Sequence, residues 1–255
     1  MDDLTAIVRS WFHDPYEGMG YRAEKRRWGT YWSHRQVYVA ELPLEQVPAF
    51  LDDVCTYYSN GGVPEVKVYL NLESREVEAR LGPALLAVGC APGTTEMFLA
   101  HTGTLPDCVA VSGLAVEPVN AANLDLFVAT KRRIFSADDA VPNAARRVEE
   151  IAQRRGELTG NARGLLARVD GEPAGIVWWY AEIETDWVVL LGVRAPFRRR
   201  GIARWLLGQR LAEVERQGTS LFINVLADNA RAIRLYCYLG FTNEVYWRRR
   251  YVLSF

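Results

Sequence analysis

Histidine is scarce in this chain of 255 residues: only His13, His34 and His101 occur. None has metal-ligand spacing or a nearby cysteine, so no metal site is expected. The four cysteines, Cys55, Cys90, Cys108 and Cys237, are scattered and form no C-x-x-C pair. They read as free, mostly buried thiols of a reducing compartment. No apolar run approaches the ~18 residues that a membrane span needs. The start, Met1-Asp2-Asp3-Leu4, is acidic and has no signal-type apolar core. A cytoplasmic location without membrane contact is therefore the expectation. An excess of one charge is missing too: 30 basic residues stand against 31 acidic ones. That balance speaks against nucleic acid as the partner. The phosphate-binding patterns G-x-x-x-x-G-K-[ST] and G-x-G-x-x-G are both absent.

What is present is an ordinary globular composition, 49% hydrophobic and 24% charged. The length allows one large domain or two small ones at ~100–200 residues each. The clearer half begins near Pro106. Val109 to Val116 reads as a strand, and Leu124, Phe127, Val128 and Phe135 share one helical face. A second helix is expected between Pro142 and Gly156, a good start and stop pair. Three strands follow, from Gly164 to Val169, Ala174 to Ile183 and Asp186 to Val193, the first two joined by an Asp170-Gly171 turn. The third is almost continuously apolar and so reads as buried on both faces. Gly201 to Gln217 is a helix, Leu221 to Val225 a strand, Ala230 to Leu239 a helix and Val245 to Leu253 a strand.

In the first hundred residues, strands are expected at Val37 to Leu42, Val66 to Leu70 and Thr95 to Ala100. Helices are expected at Pro48 to Tyr58 and Arg75 to Val88. The order strand, helix, strand, helix, strand thus occurs in both halves. Leu85-Leu86-Ala87-Val88-Gly89-Cys90 resembles Tyr236-Cys237-Tyr238-Leu239-Gly240-Phe241. A degenerate repeat is the reading adopted, beside chance recurrence. The expected organisation is a smaller α/β N-terminal domain over 1–104 and an α/β domain over 105–255 with a mixed central sheet and flanking helices.

The informative stretch runs from Leu190 through Gly192, Val193 and Arg198-Arg199-Arg200-Gly201-Ile202-Ala203. A buried strand enters a short loop, and the loop enters a helix. Small residues let a ligand approach the backbone amides. Unpaired N–H groups at a helix start favour an anion such as a diphosphate, and arginines add charged donors. Alone, three arginines before a glycine are usually just a solvated basic turn. Asn229 stands where it caps the next helix, and Tyr236 lies two turns further on about the same face.

Together, R-x-x-G-x-A and N-x-x-A-I-x-L-Y-x-x-x-G-F, after a strand ending Leu-Gly-Val, resemble the GNAT acetyltransferase superfamily over about residues 106 to 255. The resemblance implies a sheet of GNAT type and acetyl-CoA as acyl donor, with no metal. It implies that amides and side chains of Arg198, Arg199, Arg200, Gly201, Ile202, Ala203 and Arg204 hold the pyrophosphate. Backbone groups of Leu191, Gly192 and Val193, together with Asn229, would meet the pantetheine arm. Tyr236 would sit by the coenzyme sulfur. Arg198 departs from the glutamine of many family members. The first half has no arginine–glycine loop after Leu42 and has Leu85 in the place of Tyr236, so no coenzyme site is expected there.

Acyl transfer needs a neutral amine, which is mostly protonated at pH 7 if its pKa is ~8–10. Glu182, Glu184 and Asp186 are base candidates, with Glu184 the choice, although for any one of them the charge of a surface hairpin is the commoner reading. Tyr236 is the expected proton donor to the leaving thiolate. No Ser–His–Asp or Cys–His set is evident, so direct transfer to a primary amine of a small molecule or peptide is expected. The alternatives are a non-catalytic acyl-CoA sensor and a nucleic-acid binder using Arg198 to Arg204 and Arg248 to Arg250.

Overall fold

A computed structural model describes residues 24–26, 30–33, 36–39, 41–59, 67–103, 110–135, 144–181 and 185–254. The chain forms two compact units. One joins the residues up to Phe98 with Val225–Ala230 and Glu244–Phe255; the other holds Leu99–Asn224 and Arg231–Asn243.

In the first unit, strands β1 (Glu24–Arg26), β2 (Thr30–Ser33), β3 (Gln36–Val39), β4 (Lys67–Leu72) and the later part of β11 (Phe241–Ser254) lie side by side in that order. β3 and β4 are parallel, and β4 and β11 antiparallel, with Arg249 opposite Leu72 and Ser254 opposite Lys67. A one-turn 3₁₀ helix, Leu44–Gln46, leads directly into α1 (Val47–Ser59), and α2 (Arg75–Ala87) follows β4. Ser74 caps α2 by accepting from the Val77 amide at 3.1 Å. Val37, Phe50, Val54, Leu70, Leu81 and Leu85 fill the core. Two carboxylates are held inside: Tyr246 donates to Glu73 at 2.6 Å, and Arg248 donates its Nε to Glu96 at 2.9 Å.

The second unit orders β6 (Leu114–Pro118), β7 (Ala162–Val169), β8 (Glu172–Ala181), β9 (Thr185–Val193) and β10 (Ser220–Leu226). The first four are antiparallel neighbours; β9 and β10 are parallel. Helices α3 (Leu124–Phe135) and α4 (Ala144–Thr159) pack on the face that presents Leu166, Ile176 and Trp178. Helix α5 (Ile202–Gln217) packs on the other face, where the Arg210 guanidinium lies 5.1 Å from the centre of the Trp179 ring. Helix α6 (Ala230–Tyr238) connects β10 to β11.

Two expectations need correction. The strand expected from Val109 to Val116 begins at Leu114 and ends at Pro118, because Ser112 and Gly113 form a turn with Gly113 at φ +69°. Val109 lies outside the described residues. The second helix does not stop at Gly156 but continues to Thr159. Its extra turn carries Glu157, whose carboxylate is almost buried against Arg154 at 2.7 Å, and that contact outweighs the weak helix propensity of one glycine.

The order strand, 3₁₀ turn, helix, parallel strand, helix, strand occurs in both halves of the chain, ending on β5 (Ala91–His101) in the first and β11 in the second. The offset from Leu44–Gln46 to the 3₁₀ turn Ala195–Phe197 also separates Gly89 from Gly240. Both glycines have φ +89°, and each donates its amide to the residue three positions earlier at 3.1 Å.

Candidate functional site

The site starts from an interruption in the sheet. β9 pairs with β10 only from Thr185–Ser220 to Val188–Ile223. Among the described residues, nothing in β10 pairs with Val189 to Val193. On the other side β9 stays paired with β8, with Leu191 opposite Val177 and Val193 opposite Gly175. The Arg194 amide donates to Ala174 at 2.8 Å. Strand alternation then turns the backbone groups of Gly192 toward β8 and those of Leu191 and Val193 toward the open side. The register shift that pairs Trp178 with Leu190 and Trp179 with Val188 leaves Val189 as an extra residue, a bulge that bends the strand there.

Gly192 is buried, but the group near it belongs to the protein. A Cβ there would lie 2.5 Å from the Ile134 side chain and 2.8 Å from the Phe135 ring. The glycine lets the end of α3 approach the strand.

The loop after β9 is braced from beneath. Arg194 donates its Nη1 to the Pro173 carbonyl at 2.5 Å and lies 5.4 Å from the Phe197 ring centre. Arg198 donates its Nε to the Val193 carbonyl at 3.0 Å. Arg199 adopts φ +64° and Gly201 φ +86°, a left-handed pair of positions that turns the chain into α5. The nearest atom to a Cβ at Gly201 would be 3.5 Å away, so the backbone angle and not the space calls for glycine. The first intrahelical bond runs from Trp205 to Gly201 at 2.9 Å. The amides of Ile202 and Ala203 therefore lack intrahelical acceptors and lie at the positive end of the helix dipole. Arg199, Arg200 and Gly201 are exposed beside them, while Ile202 is buried in the core. The Arg204 guanidinium lies 4.9 Å from the Tyr238 ring centre.

Tyr236 in α6 is 6% exposed, with its ring centre 6.1 Å from that of Phe241. Burial raises its phenol pKa well above the ordinary value, so the group stays protonated. Asn229 immediately precedes α6, and its amide donates to the Leu226 carbonyl at 3.0 Å. Glu182 and Glu184 lie outside the described residues. Asp186 is buried and ion-paired with Arg210 of α5. Among the described residues, no group of three or more His, Cys, Asp or Glu could hold a metal.

The structure thus places Leu191 to Val193 and Arg198 to Arg204 on one continuous strand, loop and helix. Sequence reasoning missed the brace from Arg194, the approach of Ile134 and Phe135, and the Asp186–Arg210 pair. Only the last had a visible signal, a lone acid at the start of an apolar strand.

Residues 130–241 match the model of the acetyltransferase (GNAT) family. A curated relative, the ribosomal protein bS18-alanine N-acetyltransferase of Salmonella typhimurium, is 45% identical over 62 residues, 24% of this chain and 41% of that protein. The chain therefore matches less than half the length of this relative. A solved GCN5-related N-acetyltransferase from Kribbella flavida has a TM-score of 0.64 at 16% identity, over 98% of this chain and 95% of that one. A tandem GNAT protein from the clavulanic acid biosynthesis pathway has a TM-score of 0.56 at 13% identity, over 90% and 81%. At these identities the structural likeness establishes the fold.

Proposed function

We propose that the chain, whose residues 130–241 match the acetyltransferase (GNAT) family, transfers an acetyl group from acetyl-CoA directly to a primary amine. The observation that carries the reading is the open edge of β9 running into the glycine loop. We place the GNAT domain at residues 105–255 and a degenerate copy of it at 1–104. The matching 3₁₀ turns and glycines support the copy. So does one difference: α1 follows its 3₁₀ turn at once, whereas Arg198 to Gly201 intervene before α5. The first half lacks the four residues that would cradle a diphosphate.

The donor fits the residues present. Its diphosphate suits the amides of Ile202 and Ala203 at the start of α5 and the exposed Arg199 and Arg200. Its amide-bearing arm suits the outward N–H and C=O groups of Leu191 and Val193, as an added strand would. The donor supplies an activated thioester. The chain's own part is to hold the reacting carbonyl at the edge of β9, where a strand amide can donate to the oxyanion that develops. Tyr236, kept neutral by burial, is the proton donor to the leaving thiolate. Glu184 remains the candidate base.

The acceptor is a small-molecule or peptide amine. The curated relative is named for the alanine of a ribosomal protein, which makes a peptide N-terminus one class to test. No described helix is long and apolar enough to cross a membrane, and a cytoplasmic location is proposed. Calorimetry of the full chain with CoA tests the reading, followed by an amine screen with acetyl-CoA. One CoA per chain and turnover of an amine are expected. No binding at millimolar CoA overturns the reading, two sites overturn the degenerate copy, and binding without turnover of any amine favours an acyl-CoA sensor.

A further inference from the structure

A cleft of about 500 Å³ opens in the second unit, lined by Arg163, Trp179, Asp186, Arg210 and Thr219 among others. It shares no residue with the strand edge or the loop described above. Arg210 follows Ala203 by seven positions, about 10 Å along the helix axis, so the cleft lies toward the opposite end of α5. Among the described residues, three donor atoms of the residues that line it, Arg210 Nε, Trp179 Nε1 and Thr219 Oγ1, are buried without a hydrogen-bond partner. Trp179 is 7% exposed. All three can donate, and two of them can only donate. The single carboxylate in the lining, Asp186, has its charge matched by Arg210, whose side chain is 10% exposed. Arg163 adds an exposed guanidinium, held in place by donating to the Gly160 and Ala162 carbonyls at 2.7 Å each. The cleft therefore offers unsatisfied donors and one surplus positive charge.

We propose that this cleft is a second ligand site that takes a small oxyanion, a carboxylate or phosphate, between Arg210, Trp179, Thr219 and Arg163. Acceptor oxygens satisfy the buried donors, and the surplus charge balances the anion. The size admits a small metabolite and not a macromolecule. The proposal is independent of the acetyl-transfer reading.

Calorimetric titrations of the full chain with inorganic phosphate and with citrate, at constant ionic strength, test it. Saturable binding of at least one is expected, and the stronger of the two identifies the oxyanion. Thr219→Val and Arg163→Gln should each weaken that binding about tenfold, as removal of a bond to a charged group does, and leave CoA affinity unchanged. Arg210 is left intact because its loss would strand Asp186. Absence of saturation by either ion below 10 mM, on the order of the weakest affinities worth assigning, overturns the proposal. So does binding that both variants retain in full. A phosphate signal abolished by Gly201→Val but untouched by the two cleft variants would put the ion in the cradle loop and overturn it as well. Thermal unfolding of each variant separates a lost site from a lost fold.

Discussion

Arg198 donates its Nε to the carbonyl of Val193 at 3.0 Å, and so closes the loop back onto the edge of the strand it follows. That carbonyl faces the open side of β9, where a pantetheine arm would pair. A ligand amide at that carbonyl would share or displace the Arg198 bond, and in either case an exposed guanidinium contributes little net affinity. Arg198→Ala is expected to change CoA affinity less than about threefold, within the range of exposed charges. Calorimetry checks it; a loss beyond tenfold would mean that Arg198 itself grips the diphosphate.

Gly201→Val should behave differently. It forces a β-branched residue into φ +86° at the point where α5 begins. A loss of CoA affinity of about tenfold or more is expected, with a strain of ~1–3 kcal/mol. Arg194→Ala removes the bond that braces the loop on Pro173 and should lower the melting temperature more than it lowers affinity. Equal affinity losses in the two variants would favour a diffuse charged patch over an amide cradle.

Tyr236→Phe keeps the ring that packs near Phe241 and removes only the hydroxyl. The proton it gives is needed when the thiolate leaves, so the loss should fall on the transition state. A fall in kcat of ~10²–10⁴-fold with nearly unchanged CoA affinity is expected, the usual cost of removing a general acid. Steady-state kinetics from pH 6 to 9 decide it, and an unchanged kcat across that range would assign the proton to solvent.

His101 gives the fold a pH dependence of its own. Burial lowers its pKa below the ordinary 6.5, against the opposing effects of the Leu239 backbone bond and the Glu215 charge. Once pH drops below the unfolded value, the unfolded chain takes up a proton that the folded chain resists. Stability from this residue is then complete above about pH 6.5 and declines as pH falls. His101→Gln should flatten the part of the loss between pH 7 and 5 that belongs to this group. Urea unfolding at both pH values measures it; an identical slope in the variant would show that His101 takes no part.

How far the site could be read beforehand follows from how local each feature is. The almost continuous apolar run from Asp186 to Val193 marked a strand, and Gly201 and Gly218 bracketed α5, both glycines proving left-handed. The correspondence of Leu85 with Tyr236 was legible because each precedes its helix-closing glycine by four residues; both are buried. Gly192 was singled out for a close approach, yet the approaching atoms come from Ile134 and Phe135, distant in the chain. The expected halt at Gly156 failed because propensity is a weak force beside a buried Arg154–Glu157 contact.

Strand, loop and helix boundaries around the cradle were determined by the sequence alone, since periodicity, helix capping and glycine conformations act over a few residues. Only the tertiary structure decided where β9 parts from β10, that Asp186 is consumed by Arg210, that the residues after Asn243 complete the first unit beside β4, and that unpartnered donors gather around one cleft. Each of these depends on groups far apart in the chain meeting in space. Their desolvation and pairing energies are set by the packed surroundings and leave no pattern in the order of the residues.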